Sequence, residues 1–367
     1  MTASVSVSAL RGHRDSVVSL DIPSEPPDHL VLSCSDDNTA RLWDVRTHTS
    51  CRRLHDTTFD SQDGSTMGAA RFRPGHPHQI YVARGGALYA FDLRRSDRVL
   101  LNVSSGVEGF DGASSAIGEI DRFAFDSSGG TMAVPLESGS VLVCEWEGEG
   151  QGEGAGGGWA VKRELTGEHG NICGSAVFRA GCARDLVTGG YDCRVCRWDA
   201  SSGKCRMRLD MNKVHSELET SAGAKQLVNP PFVEDLACSH DGSKMAVALG
   251  DGNIVLYGFT GDRLWPSPHS GSITHLSPLS CVTFLPASHT HLFSLSNDRQ
   301  LTLWEAKRSL ATSTSSRRSV ASQCGCHPLV QHEMGHKGNC IVAVAGEGRG
   351  RAIVGDVSSE IKLVDFT

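Results

Sequence analysis

The sequence predicts an all-β fold: a closed ring of seven small antiparallel sheets, the last of them completed by a strand from the N-terminus. Three observations lead there. Hairpins of one pattern recur along the 367 residues. The segments between them are polar or glycine-rich, without helical periodicity, and the chain begins and ends on strand-like stretches that need a partner.

The first hairpin is "LSCSDDNTARLWD" (32 to 44), a strand, a polar turn and a second strand ending on Trp-Asp. The second ends on Phe91 in "YAFDLRR", and the third is "TMAVPLESGSVLVC" (131 to 144). The fourth, "VTGGYDCRVCRWD" (187 to 199), repeats the first, with an Asp at the turn six residues before the Trp. The fifth, "KMAVALGDGNIVLY" (244 to 257), aligns with the third without a gap. The sixth, "FSLSNDRQLTLWE" (293 to 305), carries the Asp and Trp again, and the seventh closes the chain at "EIKLVDFT". The residues at the Trp position are Trp43, Phe91, Cys144, Trp198, Tyr257, Trp304 and Val364, spaced by 47 to 60 residues. A four-stranded repeat of this kind needs only ~40–45. The excess is assigned to inserts expected to be flexible or disordered, near 147–158, 210–226 and 307–335; they are rich in Gly, in mixed polar residues, and in Ser, Thr and Arg respectively. The alternating "SVSVSAL" (4 to 10) is expected to supply the fourth strand of the last sheet and so close the ring.

This pattern resembles the seven-bladed β-propellers of the WD-repeat family. The stretches "EHGNICGSAVFR" (168 to 179), "QLVNPPFVEDLACSHDG" (226 to 242), "CVTFLPASHTHLFSLSNDRQLTLWEA" (281 to 306) and "GHKGNCIVAVA" (335 to 345) are similar to one branch of that family over most of the chain. In that branch the insert before the last blade is basic, whereas here it is mostly Ser and Thr. The resemblance implies a hydrogen-bonded tetrad in three blades: His13, Ser33, Asp37 and Trp43; His169, Thr188, Asp192 and Trp198; His269, Ser294, Asp298 and Trp304. Imidazole, hydroxyl, carboxylate and indole N–H can satisfy one another there. Ser, His and Asp could also form a hydrolytic triad, but the same trio repeated in three blades beside a tryptophan donor indicates a structural role.

In each blade the third strand starts at the Asp turn on one face of the ring and ends at the Trp-Asp pair, so Arg46 emerges on the opposite face. "FDLRR" places Asp92 and Arg94 equivalently in the next blade. The two adjacent Asp-x-Arg corners, Asp44 with Arg46 and Asp92 with Arg94, resemble those of substrate receptors that dock on the propeller-built adaptor of cullin-4 ubiquitin ligases. A guanidinium suits docking because its planar fork pairs with carboxylates or carbonyls while stacking on apolar surface. The bland alternative is an exposed turn in which the Asp simply pairs with the Arg. Some such receptors grip the adaptor with a helical segment ahead of the propeller. Here residues 2 to 12 read as strand, so docking is expected to rest on the propeller alone.

Composition sets the outer bounds. Hydrophobic residues make up 39% of the chain and charged residues 21%, enough apolar material for a large core, and the net charge of −7 disfavours nucleic acid as a partner. With no leader-like N-terminus and no apolar run of about 18 residues, neither secretion nor a membrane is expected; cytosol or nucleus is. Thirteen cysteines are then expected as reduced, mostly buried thiols.

Cys193 and Cys196 form a C-x-x-C, but along a strand residues three apart face opposite ways, which argues against zinc. Cys324, Cys326, His327, His332 and His336 are denser in ligands but match no familiar finger spacing. The G-x-G fragments near 148–158 are followed by no helix that could hold a phosphate. "SSRRSV" offers Ser319 to a basophilic kinase. No cofactor, no metal and no catalysis are expected. The expectation is an interaction scaffold with protein partners, a candidate cullin-4 substrate receptor. The alternative is a module that takes a histone tail or another basic peptide at the mouth of the ring.

Overall fold

The computed structural model describes residues 4–25, 29–54, 64–94, 99–102, 118–148, 158–214, 229–260, 263–266, 273–275, 277–286, 288–306, 326–345 and 350–367. These residues form seven antiparallel sheets, six of four strands and one of five, arranged as a seven-bladed β-propeller. Blade 1 runs outward through Val17–Asp21, Leu30–Ser35, Thr39–Asp44 and Thr49–Leu54. Blade 2 comprises Met67–Arg73, His76–Arg84, Ala87–Asp92 and Val99–Asn102, and blade 3 Ala124–Phe125, Thr131–Pro135, Val141–Glu147 and Gly158–Leu165. Blade 4 is Cys173–Phe178, Asp185–Gly190, Arg194–Asp199 and Lys204–Asp210. Blade 5 is Val233–Cys238, Lys244–Leu249, Asn253–Thr260 and Arg263–Pro266, with Ile273–Thr274 as its fifth strand. Blade 6 is Leu279–Phe284, His291–Ser296, Gln300–Ala306 and Cys326–Glu333.

Blade 7 combines Gly338–Val344, Gly350–Asp356 and Glu360–Phe366 with Val5–Arg11 as its outer strand, in register from Val5 opposite Phe366 to Arg11 opposite Glu360. The expected clasp is therefore present. Reciprocal backbone bonds between Ser4 and Thr367, both 3.1 Å, extend it by one pair. On the inner side, Asn339 donates its Nδ2 to the Val17 carbonyl (3.1 Å), joining blade 7 to blade 1.

Middle strands are covered by a neighbouring blade on each face, so they are almost continuously apolar and buried, as in Lys244–Leu249. Outer strands meet solvent on one side, and Lys204–Asp210 accordingly alternates exposed with half-buried residues. The turn before the third strand needs one residue in the left-handed region. Gly85, Gly139 and Gly252 supply it in blades 2, 3 and 5, whereas Asn38, Cys193 and Arg299 supply it with φ of 58°, 61° and 70° in blades 1, 4 and 6.

Two blade joints repeat one arginine device. Arg73, at the end of the inner strand of blade 2, donates its Nε to the Gly129 carbonyl of blade 3 (2.8 Å) and lies over the Trp146 ring at 4.2 Å. Arg179 of blade 4 does the same to the Gly242 carbonyl of blade 5 (2.7 Å) over the Phe259 ring at 4.5 Å. Each clamp satisfies a turn carbonyl and adds a cation–π contact between neighbouring sheets.

Most of the first two inserts, 149–157 and 215–228, lies outside the described residues, as does 307–325 of the third. The third insert ends sooner than its composition indicates, because Cys326–Glu333 is the outer strand of blade 6, paired along Gln300–Ala306. Pro328 and four polar residues hide it from a propensity reading, yet an outer strand tolerates a proline whose missing N–H faces away from the sheet.

Candidate functional site

The tetrads show what the recurring Ser, His and Asp do. In blade 1 the Trp43 indole donates to Ser33 Oγ at 2.8 Å, His13 Nε2 meets the same oxygen at 2.7 Å, and His13 Nδ1 meets Asp37 at 2.9 Å. In blade 4 Trp198, His169 and Asp192 surround Thr188 in the same way, at 2.9, 2.8 and 3.1 Å in that order along the chain of bonds. Because the hydroxyl accepts from the indole and the carboxylate must accept from Nδ1–H, the hydroxyl proton goes to Nε2, which fixes a neutral tautomer. Burial opposes ionisation of Asp37, but hydrogen bonds from His13 and Thr39 outweigh it and hold the carboxyl below the ordinary range. Asp192 is held low by the same balance with His169 and the Gly170 amide.

In blade 6 the sequence reading chose the wrong histidine for this role. His269 lies outside the described residues, and the imidazole on Ser294 is that of His275 (Nε2 to Oγ, 2.7 Å), with Trp304 donating to the same oxygen at 2.7 Å. The register explains it: His13, His169 and His275 each stand four residues before the first residue of an inner strand, Val17, Cys173 and Leu279. Asp298 accepts instead from Ser296 Oγ and the Gln300 amide. Burial lowers the His275 pKa, with the Asp298 charge opposing. Ser33, Thr188 and Ser294 are fully buried with their oxygens already bonded to an indole, so none is presented to a substrate.

The Asp-x-Arg corners differ in kind, being at the surface. Arg46 sends Nε to Asp44 Oδ1 (3.0 Å) and Nη2 to Oδ2 (2.7 Å), while its own backbone amide caps Oδ1 at 2.9 Å. Arg94 repeats every bond to Asp92: Nε to Oδ1 at 2.9 Å, Nη2 to Oδ2 at 2.5 Å and the amide to Oδ1 at 2.9 Å. Both arginine side chains are 64% exposed, whereas the carboxylates under them are 12% and 5% exposed. The hydrogen bond from Arg46 is the main reason that Asp44 titrates below the usual range, and the bond to Asp92 raises the Arg94 pKa.

The two corners are also tied together. Arg52, on the outer strand of blade 1, donates Nη1 to the carbonyl of Leu93 at 2.6 Å, the residue between Asp92 and Arg94. Equivalent positions elsewhere lack the motif. Blade 4 has Asp199 followed by Ala200 and Ser201, with the carboxylate bonded to Ser201 and to Arg206 from the outer strand. Asp365 of blade 7 pairs with Arg351. Sequence spacing found the four corner residues; the Arg52 tie depends on how two blades pack and left no local signal.

The remaining candidates resolve unevenly. Cys193 sits on the turn rather than within the strand, so strand alternation does not set its direction; its thiol and that of Cys196 are nevertheless buried in separate core clusters. Cys324 and Ser319 lie outside the described residues. The cysteines among the described residues are all free thiols, most of them buried. Among the described residues no helix is long and apolar enough to cross a membrane.

The family profile described as "WD domain, G-beta repeat" matches residues 4–44. Over 368 aligned positions the chain is 22% identical to the WD repeat-containing protein 53 homolog of Dictyostelium discoideum, covering 97% of this chain and 93% of that protein. This is the branch that the four quoted stretches resemble, and the match runs through all seven blades.

Proposed function

We propose that this chain, a propeller of the WD-repeat family, is a non-catalytic interaction scaffold that serves as a substrate receptor, docking on the propeller adaptor of a cullin-4 ubiquitin ligase through the corners of blades 1 and 2. One observation carries the reading. Two adjacent blades hold an arginine in the same bidentate geometry on a nearly buried carboxylate, with 64% of each arginine side chain exposed and a third arginine fastening the corners to each other. An arginine held in one rotamer loses less side-chain entropy on binding than a free one, and its planar fork is what a rim of carbonyls or carboxylates recognises. The WD-repeat fold supports the coarser scaffold reading, and the buried, indole-bonded hydroxyls of the tetrads count against hydrolysis there.

The test is affinity purification of the tagged full chain with Arg46→Ala and Arg94→Ala combined. The wild type is expected to carry the adaptor and the double variant to lose it, with circular dichroism unchanged and melting lowered only slightly, since the guanidinium side of each pair is exposed and the backbone amides of residues 46 and 94 still cap the carboxylates. Undiminished adaptor in a folded double variant overturns the assignment. A second reading places a basic peptide at the mouth of the ring. Tyr191, on the turn after the second strand of blade 4, and Phe232, just ahead of the inner strand of blade 5, pack with ring centroids 5.7 Å apart, and the Tyr191 hydroxyl reaches Glu234 at 3.4 Å. Binding of an Arg- or Lys-rich peptide that Glu234→Gln abolishes would favour it.

A further inference from the structure

We infer that blade 4 carries a thiolate zinc site formed by Cys196, Cys205 and Glu168. A ligand atom from each of these residues lies within 4.8 Å of the other two. The site arises from strand geometry. Cys196 and Trp198 share a face of Arg194–Asp199, Cys205 pairs opposite Trp198, and the register shift between Arg197 and Trp198 makes Cys205 the diagonal neighbour of Cys196. Glu168 enters from the loop immediately before the tetrad histidine His169, which is pinned to Asp192 and Thr188 and so fixes where Glu168 stands.

The donors fit the ion. A tetrahedral zinc with Zn–S of about 2.3 Å places its sulfurs about 3.8 Å apart, so closing on the metal requires movements of about 1 Å or less. Cys196 is fully buried and Cys205 half-buried, which leaves the outer side for a water as fourth ligand. Arg208, opposite Cys196, grips both oxygens of Glu168 through Nε and Nη2, leaving each oxygen a lone pair for a metal. Binding exchanges two thiol protons for one dication: two R–SH plus Zn²⁺ give (R–S)₂Zn plus two H⁺ released to solvent. With two thiolates, one carboxylate and one guanidinium around Zn²⁺, the assembled site is neutral, which suits its partial burial. Soft sulfur donors select zinc over magnesium or calcium. Burial raises the pKa of both thiols, so without metal they stay protonated.

The experiment uses the full chain, stripped of metal and reduced with a phosphine, titrated anaerobically with Co²⁺ as a spectroscopic stand-in for zinc. The expected result is one equivalent of Co²⁺ producing a thiolate charge-transfer band with tetrahedral d–d bands, displaced by stoichiometric Zn²⁺. Cys205→Ser is expected to lose the charge-transfer intensity. Cys193→Ser, in another cluster of the same blade, and the combined Cys324→Ser and Cys326→Ser are expected to keep it. Should Cys205→Ser fold poorly, Glu168→Gln serves instead and is expected to weaken Co²⁺ binding with the thiolate band retained at saturation. No charge-transfer band in the wild type, or a band that survives Cys205→Ser and vanishes with Cys324 and Cys326, overturns the site.

Discussion

At the scale of single residues the tetrads show how a buried polar network excludes chemistry while holding a fold. Replacing Asp192 by Ala leaves the His169 Nδ1–H and the Gly170 amide without their acceptor, and the expected cost is about 1–3 kcal/mol in urea unfolding. An unchanged transition midpoint would remove the network from the account. The pH dependence follows from the same carboxyls. Because Asp37 and Asp192 titrate lower in the folded chain than an ordinary carboxyl, their stabilisation is complete above about pH 4, near the unfolded value, and is lost as pH falls through the folded values. Asp192→Asn is therefore expected to show a shallower loss of stability on acidification than the wild type, and equal slopes would contradict this. A gain is also available. Arg299 is exposed, has φ of 70°, and its ion pair with Glu333 is half-exposed on both sides. Arg299→Gly is expected to raise the melting temperature, since a left-handed L-residue costs roughly 1–2 kcal/mol and the surface pair returns little of it. A lowered melting temperature would mean that the pair outweighs the strain. The tetrads of blades 1 and 4 were legible because histidine, hydroxyl, Asp and Trp keep a fixed spacing. Blade 6 was misread because its preceding segment holds both His269 and His275, and only the distance to the next inner strand separates them.

At the scale of elements, the clasp carries the largest single consequence. Val5–Arg11 covers the edge of Glu360–Phe366 along seven paired positions, and Leu10 is buried in the core cluster shared by blades 6, 7 and 1. Deleting residues 1–11 exposes that strand edge and opens the ring, so the truncated chain is expected to melt far lower and to aggregate. A truncated chain that stays monomeric with unchanged melting would show that the ring is closed by other means. All seven hairpins and the clasp could be read directly from alternation, turn residues and, in three blades, the Asp turn six residues before a Trp. The outer strand of blade 6 could not: Pro328 and neighbouring polar residues make Cys326–Glu333 look like a linker, and its pairing is decided by the waiting edge of Gln300–Ala306 rather than by its own propensity. The arginine clamps of Arg73 and Arg179 were equally invisible, because each acts on a carbonyl in the next blade more than 50 residues away.

At the scale of the whole molecule, ring closure turns two distant pieces of sequence into one surface. Asp44 and Arg46 lie 48 residues from Asp92 and Arg94, yet the packing of blade 1 on blade 2 and the Arg52 bond to Leu93 put the corners side by side. The sequence showed two copies of a motif; that they form a single fastened unit follows only from the packing. The most direct test is a calorimetric titration of the purified cullin-4 adaptor with the full chain, comparing wild type, Arg46→Ala, Arg94→Ala and the variant in which both arginines become Lys. Lysine keeps the charge but cannot make the two parallel bonds to the carboxylate. The account predicts binding by the wild type, a loss of about tenfold or more in each single variant, equivalent to about 1.4 kcal/mol, and a comparable loss in the double Lys variant despite its conserved charge. Wild-type affinity in all the variants, or no binding by the wild type, would contradict it.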